Sequence, residues 1–348
     1  EGGVYIKKWK SFIMAAAVVV FAGTVFAGCG AVLAGCGSDT SERLAPKPPK
    51  EAVARLKFAD REVPLYEYTG AVIPALEGKN TNLAVTKDAI YGIRSDAEEK
   101  NYRLQKLTLK DGAIASVEDL GIVLNEPISS DGKNIYYLTR EDELACYNGK
   151  AATLTPTPGI GVVRAIYGGK NAYTSGSFVS DADVMFGATS KDGIKDAKTV
   201  LSKDVFDKLA RAKDATHEAN AFLIGADADG FYVSSLATYG STDKEWTKPL
   251  HTYAPDGKIL HTFECNENIP SSAQKRTTWE RSVVVTKDYV VFYSDGYLRA
   301  FNKKTGAYVG DIELGRDSRK LSPTGVTTDD ENHIYFIDDN SHIYRIDL

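Results

Sequence analysis

A short pattern recurs six times along the chain, and this repetition constrains the fold more than any other sequence feature. Each copy has an apolar residue, two or three small polar residues, an Asp or Gly turn and then a β-rich run, as in Val85-Thr86-Lys87-Asp88 before AIYGIRS. The turns lie at positions 88, 131, 169, 227, 288 and 329. The alternation of apolar and polar residues after each turn is typical of antiparallel strands. We therefore expect a repeat protein made almost entirely of β-sheet.

The spacing of the turns predicts the architecture. A repeat of about 40 residues with four short strands matches one blade of a β-propeller. Because a single blade cannot bury both of its faces, the blades have to pack around an axis and close a ring. We predict six blades. Seven blades is the alternative, if the long interval between positions 227 and 288 hides a degenerate unit.

The two ends of the repeat region predict how the ring closes. The C-terminal run HIYFIDDNSHIYRIDL supplies about three strands of the last blade. The missing strand is then the early segment 56–68, LKFADREVPLYEY. Joining the first and last strands in one blade leaves no open sheet edge, which protects the protein from edge-to-edge pairing.

Two segments resemble known propeller families. The run 295–306, DGYLRAFNKKTG, resembles the repeat of quinoprotein-type (PQQ-like) propellers, in which a strand, a polar KTG turn and a following strand recur. The run 330–336, DENHIYF, is similar to the strand opening of NHL-type six-bladed propellers. The resemblance implies the fold and no particular activity, since the tryptophan ladder of the quinoprotein dehydrogenases is missing.

The first 36 residues have the layout of a bacterial export signal. A cationic segment precedes the uncharged apolar run 12–36, which ends in Leu-Ala-Gly before Cys36. This ending resembles the lipobox of bacterial lipoproteins, which implies that Cys36 carries the lipid and becomes the new N-terminus. Cys29 is the alternative lipidated residue, because it also follows Ala-Gly. An uncleaved membrane helix is the alternative to cleavage.

The remaining chain divides into a tether and a domain. Residues 37–51 are polar and proline-rich and contain no aromatic residue, which predicts a flexible tether. Residues 52–348 form the single propeller domain. We expect a monomer that is exported and lipid-anchored at the extracytoplasmic face of a bacterial membrane. Gly37 and Ser38 after the anchor cysteine are compatible with outer-membrane sorting in a diderm.

Charge and cysteine content exclude some classes of protein. The chain has a formal net charge of −5 at pH 7 and no basic stripe, which argues against nucleic-acid binding and against tight docking on anionic lipid. Cys146 and Cys265 lie far apart in the sequence. We predict two buried thiols, with a disulfide between them as the alternative.

Candidate binding residues follow from the expected geometry. A propeller normally binds at the mouth of its central channel, where the first strand of each blade begins. Polar residues at or near these positions are Asn82, Asn125, Glu126, Arg164, Asn220, Arg281 and Thr324, with Glu218 just outside. Asn and Glu oxygens are suitable ligands for Ca²⁺, and six-bladed calcium-dependent lactonases place such residues in a ring. A water-lined polar channel is the competing interpretation.

Two irregular stretches interrupt the repeats. The segment 202–214 has apolar residues at helical spacing, which predicts a short amphipathic helix packed on the flank of the ring. The segment 269–281 is a polar loop that carries Trp279 beside two cations. An aromatic residue beside cations in a loop is a candidate recognition feature.

Motifs for catalysis or metal binding do not stand out in the sequence. The histidines show no HExxH or comparable spacing, and a nucleophile elbow, a P-loop and a Rossmann fingerprint do not occur. The run Asp227-Ala228-Asp229-Gly230 is a turn and not a calcium loop, because Thr238 stands where the twelfth-position carboxylate would be needed. The acid pairs at 329–330 and 338–339 are expected in solvated turns. We assign no catalytic residue, no metal and no cofactor.

These observations predict a non-enzymatic binding or scaffolding lipoprotein of the cell envelope, which presents a propeller face to a protein or glycan. The alternative is a channel-mouth hydrolase or lyase that acts on lactones or envelope sugars and depends on calcium.

Overall fold

The computed structural model describes a defined part of the chain. The described residues are 45–71, 83–96, 101–130, 132–141, 144–153, 171–174, 184–190, 193–202, 205, 218–227, 229–238, 250–263, 283–294, 296–314, 321, 323–329, 331–338 and 340–348. The chain divides into two compact units, Glu1–Ala34 and Gly35–Leu348, and every described residue belongs to the second. Among the residues described, helices long and apolar enough to cross a membrane are absent. The predicted leader and both candidate lipidation residues, Cys29 and Cys36, lie outside them.

All regular structure of more than one residue in the described ranges is β-strand, arranged in five antiparallel sheets. The first sheet has seven strands: β3 (Leu83–Thr86), β4 (Ala89–Asp96), β5 (Asn101–Lys110), β6 (Ala113–Ser130), β7 (Ile135–Thr139), β8 (Leu144–Tyr147) and β9 (Ala151–Thr153). It contains two repeat units, because the long strand β6 pairs with β5 through its first half and with β7 through its second half.

Three further sheets each contain one unit. The third unit consists of β10 (Asn171–Thr174), β11 (Val184–Ser190) and β12 (Gly193–Leu201). The fourth consists of β13 (Glu218–Ala226), β14 (Phe231–Thr238), β15 (Leu250–Tyr253) and β16 (Ile259–Phe263). The fifth consists of β17 (Val283–Val285), β18 (Tyr289–Ser294), β19 (Tyr297–Asn302) and β20 (Tyr308–Glu313).

The last sheet joins the two ends of the repeat region. Its strands, in spatial order, are β1 (Ala54–Phe58), β2 (Arg61–Tyr68), β23 (Ile343–Asp347), β22 (His333–Asp338) and β21 (Pro323–Thr328). β2 pairs with the C-terminal strand β23 in the register Leu65↔Ile346 and Tyr68↔Ile343. The predicted closure is therefore confirmed. The early segment, expected as one strand, forms two, because the chain reverses at Ala59–Asp60 and adds β1 outside β2.

Neighbouring units contact each other around the ring. β21 of the last unit contacts β3 of the first, β3 contacts β6, β13 contacts β17, and β17 contacts β21. The third unit contacts β13 of the fourth through β10, the strand that follows turn position 169. Antiparallel sheets in this succession, with a closing sheet built from both ends, define an all-β propeller. The described strands group into six units, and the blade number of the whole chain, with seven as the alternative, stays a prediction.

The hydrophobic core lies between the blades and not inside any one of them. The fifth and last blades share a cluster that includes Phe58, Leu298, Ile312 and Phe336. The last and first blades share another, in which Tyr335 and Ile343 pack against β3 and β5. Because the described core clusters lie between neighbouring blades, burial of apolar surface stabilises the contacts that join one blade to the next.

Cys146 corrects one sequence expectation. It lies in β8, is fully buried and is disulfide-bonded, so the prediction of a free thiol there was wrong. The other three cysteines of the chain, Cys29, Cys36 and Cys265, lie outside the described residues. The predicted helix at 202–214 also lies outside them, apart from Ser202 and Val205.

Candidate functional site

Three of the predicted channel-mouth residues, Asn82, Arg164 and Arg281, lie outside the described part of the chain, as does Trp279 of the polar loop. Five others are placed by their backbone alone. Of these, Glu218 begins β13 and Thr324 is the second residue of β21. Asn125 and Glu126 lie on β6 where it passes from the first unit to the second, and Asn125 pairs with Leu138. Asn220 lies near the start of β13 and pairs with Leu236. These positions are at the starts of first strands, and their role in binding stays a prediction.

The best described candidate surface is the opposite end of the ring. There the chain makes the turns that join the first to the second strand of a blade, as at residues 87–88 of the first blade, and the third to the fourth strand, as at residues 111–112. We call this end the turn rim. It contains the predicted turns at positions 88, 227, 288 and 329, whereas positions 131 and 169 lie outside the described residues.

Successive blades are joined along the turn rim by a repeated set of hydrogen bonds. Between the first and second blades, Ser130 Oγ donates to Val85 O at 2.7 Å, and Lys87 N donates to Gly132 O at 3.4 Å. Between the fifth and last blades, Thr328 Oγ1 donates to Val285 O at 3.0 Å. Lys287 N donates to Glu331 O at 3.1 Å. The recurring Val-Thr-Lys-Asp motif thus makes the same inter-blade contact at both places.

Asn332 adds a side-chain latch to the contact between the fifth and last blades. Its Oδ1 accepts hydrogen bonds from Asp288 N at 2.9 Å and from Thr286 Oγ1 at 3.0 Å. Its Nδ2 donates to Asp288 Oδ2 at 2.7 Å. One amide side chain therefore satisfies three polar atoms of the neighbouring blade.

Lys303 connects the fourth and fifth blades at the rim. Its ammonium group lies 2.7 Å from Asp227 Oδ2 and 2.7 Å from Asp229 Oδ2. Burial alone would lower the pKa of Lys303, but the two carboxylates outweigh burial and raise it. The acidic run at 227–230, predicted as a turn, is a turn between β13 and β14 whose carboxylates hold this lysine.

A proline-rich segment, residues 45–49, lies against the turn rim between the last and first blades. Arg345 Nη1 donates a hydrogen bond to Pro46 O, and Tyr68 Oη donates to Lys47 O at 3.4 Å. Gly112 has a φ of +79°, and a Cβ built there would stand 2.3 Å from Pro48 O. The segment therefore packs too closely on this turn to admit any side chain at position 112.

The docked segment borders a cavity of about 480 Å³. Its walls come from the segment and from the turns of the first blade, together with one guanidinium from the last blade; they are Ala45, Pro46, Lys47, Pro48, Lys87, Asp88, Leu109, Asp111, Gly112 and Arg345. Lys47 Nζ lies 3.6 Å from Asp111 Oδ1 across the opening, and both side chains are about 70% exposed. Charged side chains of both signs line this cavity beside proline and leucine.

Behind the cavity lies a buried polar network in the last blade. Asp329, which is 2% exposed, accepts hydrogen bonds from Tyr335 Oη and His333 Nδ1, each at 2.8 Å, and from Glu331 N at 2.9 Å. Burial alone would raise the pKa of Asp329, but these hydrogen bonds together lower it below its usual value. Burial and the nearby Asp329 carboxylate raise the pKa of Tyr335.

Arg345 links this network to the docked segment. Its guanidinium pairs with Asp347 through two nitrogens and lies 5.6 Å from the ring centroid of Tyr335. Burial alone would lower the pKa of Arg345, but the hydrogen bonds to Asp347 raise it. Burial raises the pKa of Tyr68 to about 12, so its hydroxyl remains a donor at physiological pH.

The network corrects the expectation that the acid pairs are solvated. Asp329 and Asp338 are both buried, at 2% and 6% exposure. Asp338 Oδ1 accepts hydrogen bonds from the backbone N–H groups of Asn340 and His342. The partners of Asp329 are His333 and Tyr335, which lie close to it in the sequence. Only the folded strand shows that both side chains bind the same carboxylate. Groups of three or more metal-ligating side chains are absent from the described residues.

Comparison with known proteins finds distant structural similarity. No protein-family model and no curated protein sequence matches the chain. Among solved structures, it is similar to BamB from Moraxella catarrhalis, with 12% identity, a TM-score of 0.38 and coverage of 88% of this chain and 97% of that one. It is also similar to the WD40 domain of coronin from Toxoplasma gondii, with 11% identity, a TM-score of 0.41 and coverage of 85% and 88%.

A third similar structure is a protein of unknown function from Bacteroides thetaiotaomicron. The identity is 13%, the TM-score is 0.45, and the match covers 88% of this chain and 75% of the other. The class of the protein therefore rests on its own strand order and ring closure, which make it a β-propeller.

Proposed function

We propose that this chain is an exported, lipid-anchored β-propeller of the bacterial cell envelope that acts as a non-enzymatic binding or scaffolding module for a protein or glycan. The ring holds its own N-terminal segment in place on the turn rim. This contact is the observation that carries the proposal, because a module that positions a partner has to be fixed relative to its anchor.

The polar groups of the turn rim also support a structural role for this end of the ring. Asn332, Lys303 and Asp329 each bind two or more groups of the protein itself. Groups engaged in this way hold blades together and are poorly suited to act on a substrate. The binding surface then lies elsewhere, and the first-strand end of the ring is the natural place for it.

The anchor is tested by labelling cells with a radioactive fatty acid. The wild-type protein and Cys29→Ser are expected to take up label and to sediment with membranes, whereas Cys36→Ser loses the label and is released. Loss of label in Cys29→Ser but not in Cys36→Ser would indicate that Cys29 is the lipidated residue. Absence of label in the wild-type protein would overturn the lipid anchor.

The binding role is tested by placing a photo-cross-linking amino acid at Glu141, an exposed residue of the β7–β8 turn, in the anchored protein in cells. A discrete cross-linked product is expected at position 141. The same amino acid at Lys150, at the turn-rim end of the same blade, is the matched control and should give no such product. Turnover of a lactone or an envelope sugar by the purified protein, abolished by Glu126→Ala, would contradict the proposal and favour the hydrolase.

A further inference from the structure

The docked segment determines where the tether leaves the ring. Residues 45–49 are held on the turn rim by Arg345, by Tyr68 and by the close approach of Pro48 to Gly112. The chain between Ala45 and Cys36 comprises the eight residues 37–44. This stretch starts at the rim, since Ala45 itself lines the cavity there.

The length of this stretch limits how far the rim can lie from a bilayer. The nine steps from Cys36 to Ala45 span about 30 Å at full extension. As a flexible coil they span about 16 Å on average. The opposite end of the blade is farther from the anchor by the length of a strand, about 17 Å for the five residues of β7. The exit point of the tether on the rim is therefore closer along the chain to the anchor than the opposite end of the ring is.

Side-chain charge on the turn rim suits a lipid surface. Exposed lysines project at the turns of four different blades, namely Lys87, Lys110, Lys150, Lys258 and Lys304, whereas Lys287 pairs with Glu331 at 3.1 Å. The sequence shows no basic run because each blade contributes one or two of them. Exposed aspartates lie in the same turns, among them Asp88, Asp111 and Asp256, and their side chains are shorter than those of the lysines. Asp256 accepts a hydrogen bond from Lys258 N, and Asp111 pairs with Lys47. Long lysine side chains reach past them to phosphate headgroups.

We propose that the turn rim is the membrane-facing surface of the ring and that anionic lipid headgroups are its partner. This inference rests on the proposed anchor at Cys36. The first-strand end of the ring, with Asn125, Glu126 and Asn220, then points away from the bilayer and is free to meet a partner protein.

The orientation is measured by fluorescence quenching on the full, lipidated chain. A fluorescent amino acid replaces either Lys150 or Glu141, which are exposed at opposite ends of the second blade. The proteins are placed in vesicles of phosphatidylethanolamine and phosphatidylglycerol that contain a nitroxide-headgroup lipid. Quenching is expected to be several-fold stronger at position 150 than at position 141. Equal quenching, or stronger quenching at 141, would overturn the orientation.

Two glycine variants test whether the docked segment causes the orientation. Gly112→Ala places a Cβ 2.3 Å from Pro48 O and should release the segment, which makes quenching at positions 150 and 141 similar. Gly306→Ala is the matched control, because Gly306 has a φ of +71° in the equivalent turn of the fifth blade and open space around its Cβ. Gly306→Ala should keep the wild-type ratio of quenching at position 150 to quenching at position 141. The same ratio in Gly112→Ala would overturn the role of the docked segment.

A milder variant covers the case in which Gly112→Ala does not fold. Tyr68→Phe removes only the hydroxyl that donates to Lys47 O and should reduce the quenching ratio partly; an unchanged ratio would count against the docked segment. Sedimentation of the same samples with vesicles separates the two proposals. Failure to sediment contradicts the lipid anchor, whereas sedimentation with equal quenching contradicts the orientation alone.

Discussion

At the scale of single residues, the last blade is organised around one buried carboxylate. Asp329 is held by Tyr335, His333 and a backbone N–H, and these contacts favour its charged form. A carboxylate bound in this way stabilises the folded state only while it is ionised.

This property predicts a pH dependence of stability. The folded-state pKa of Asp329 is lowered. Its contribution is therefore fully present above the unfolded-state pKa of about 3.9 and is lost as the pH falls through the lower folded-state value. Asp329→Asn should unfold at lower denaturant concentration at pH 7, and the difference from the wild-type protein should shrink in the acid range. Denaturant titrations at several pH values measure this, and a constant difference would contradict it.

The buried disulfide at Cys146 predicts an effect of reductant. A native disulfide contributes about 2–4 kcal/mol to the free energy of unfolding. Reductant should therefore lower the Tm of the wild-type protein, whereas the Tm of Cys146→Ala should be lower from the start and insensitive to reductant. Differential scanning calorimetry measures the Tm of the wild-type protein and of Cys146→Ala, each with and without reductant. A wild-type Tm that reductant leaves unchanged would show that the bond adds no stability.

At the scale of strands and turns, the Val-Thr-Lys-Asp motif stabilises its own blade and also joins that blade to the next. Its apolar residue ends a buried first strand, and its polar residues bind the turn of the next blade. In the first and fifth blades the Asp of the motif also accepts a backbone hydrogen bond from the end of the third strand, from Leu109 N to Asp88 O and from Lys303 N to Asp288 O, both 2.8 Å. The repeat therefore encodes the blade and its connection to the next.

The latch at Asn332 gives a test of this idea. Asn332→Ala leaves Asp288 N and Thr286 Oγ1 without this acceptor, which should lower the free energy of unfolding by about 2 kcal/mol. Asn340→Ala is the control, since Asn340 is an exposed residue of the β22–β23 turn. Its effect should stay within about 0.5 kcal/mol. Urea unfolding of both variants measures these free energies. Equal losses of unfolding free energy in the two variants would contradict the role of Asn332 in joining the blades.

At the scale of the whole molecule, the closing blade makes the ring one cooperative unit. β2 has β23 as its partner on one side, and β1 closes its other side. The last blade buries apolar surface against the fifth blade and against the first, so opening it exposes surface on both neighbours.

Removal of the last strand tests this cooperativity. A chain that ends at residue 341 lacks β23, so β2 and β22 lose their common partner. We expect a broad, non-cooperative thermal transition and binding of a hydrophobic dye. A chain that begins at residue 45 lacks the leader and most of the tether but keeps the docked segment, and it should unfold cooperatively near the Tm of the full chain. A sharp transition in the chain ending at 341 would contradict the closure argument.

Calcium dependence is a second test at this scale. A native-state ligand raises Tm by mass action, so a chelator should leave the Tm unchanged if the channel mouth binds no metal. A large fall in Tm with chelator would favour the calcium-dependent hydrolase over the scaffold.

The sequence by itself was sufficient for the propeller fold, the positions of four turns and the closure of the ring. These features depend on local strand and turn preferences that recur along the chain, so each copy strengthens the same inference. The prediction that Asp329 is solvated was wrong, because an Asp beside a turn looks exposed until a tyrosine and a histidine from the following strand pack onto it. The exported leader, the tether and the channel-mouth residues remain predictions.

Only the tertiary structure decided which polar groups are shared between blades and where the N-terminal segment lies. Arg345 and Pro46 are separated by 299 residues, and Asn332 and Asp288 by 44. Contacts at such separations depend on ring closure and on the close approach of backbones at Gly112, which no local pattern encodes. The repeat determines the fold of each blade. Packing of the blades around the axis determines the polar contacts between blades and the position of the docked segment.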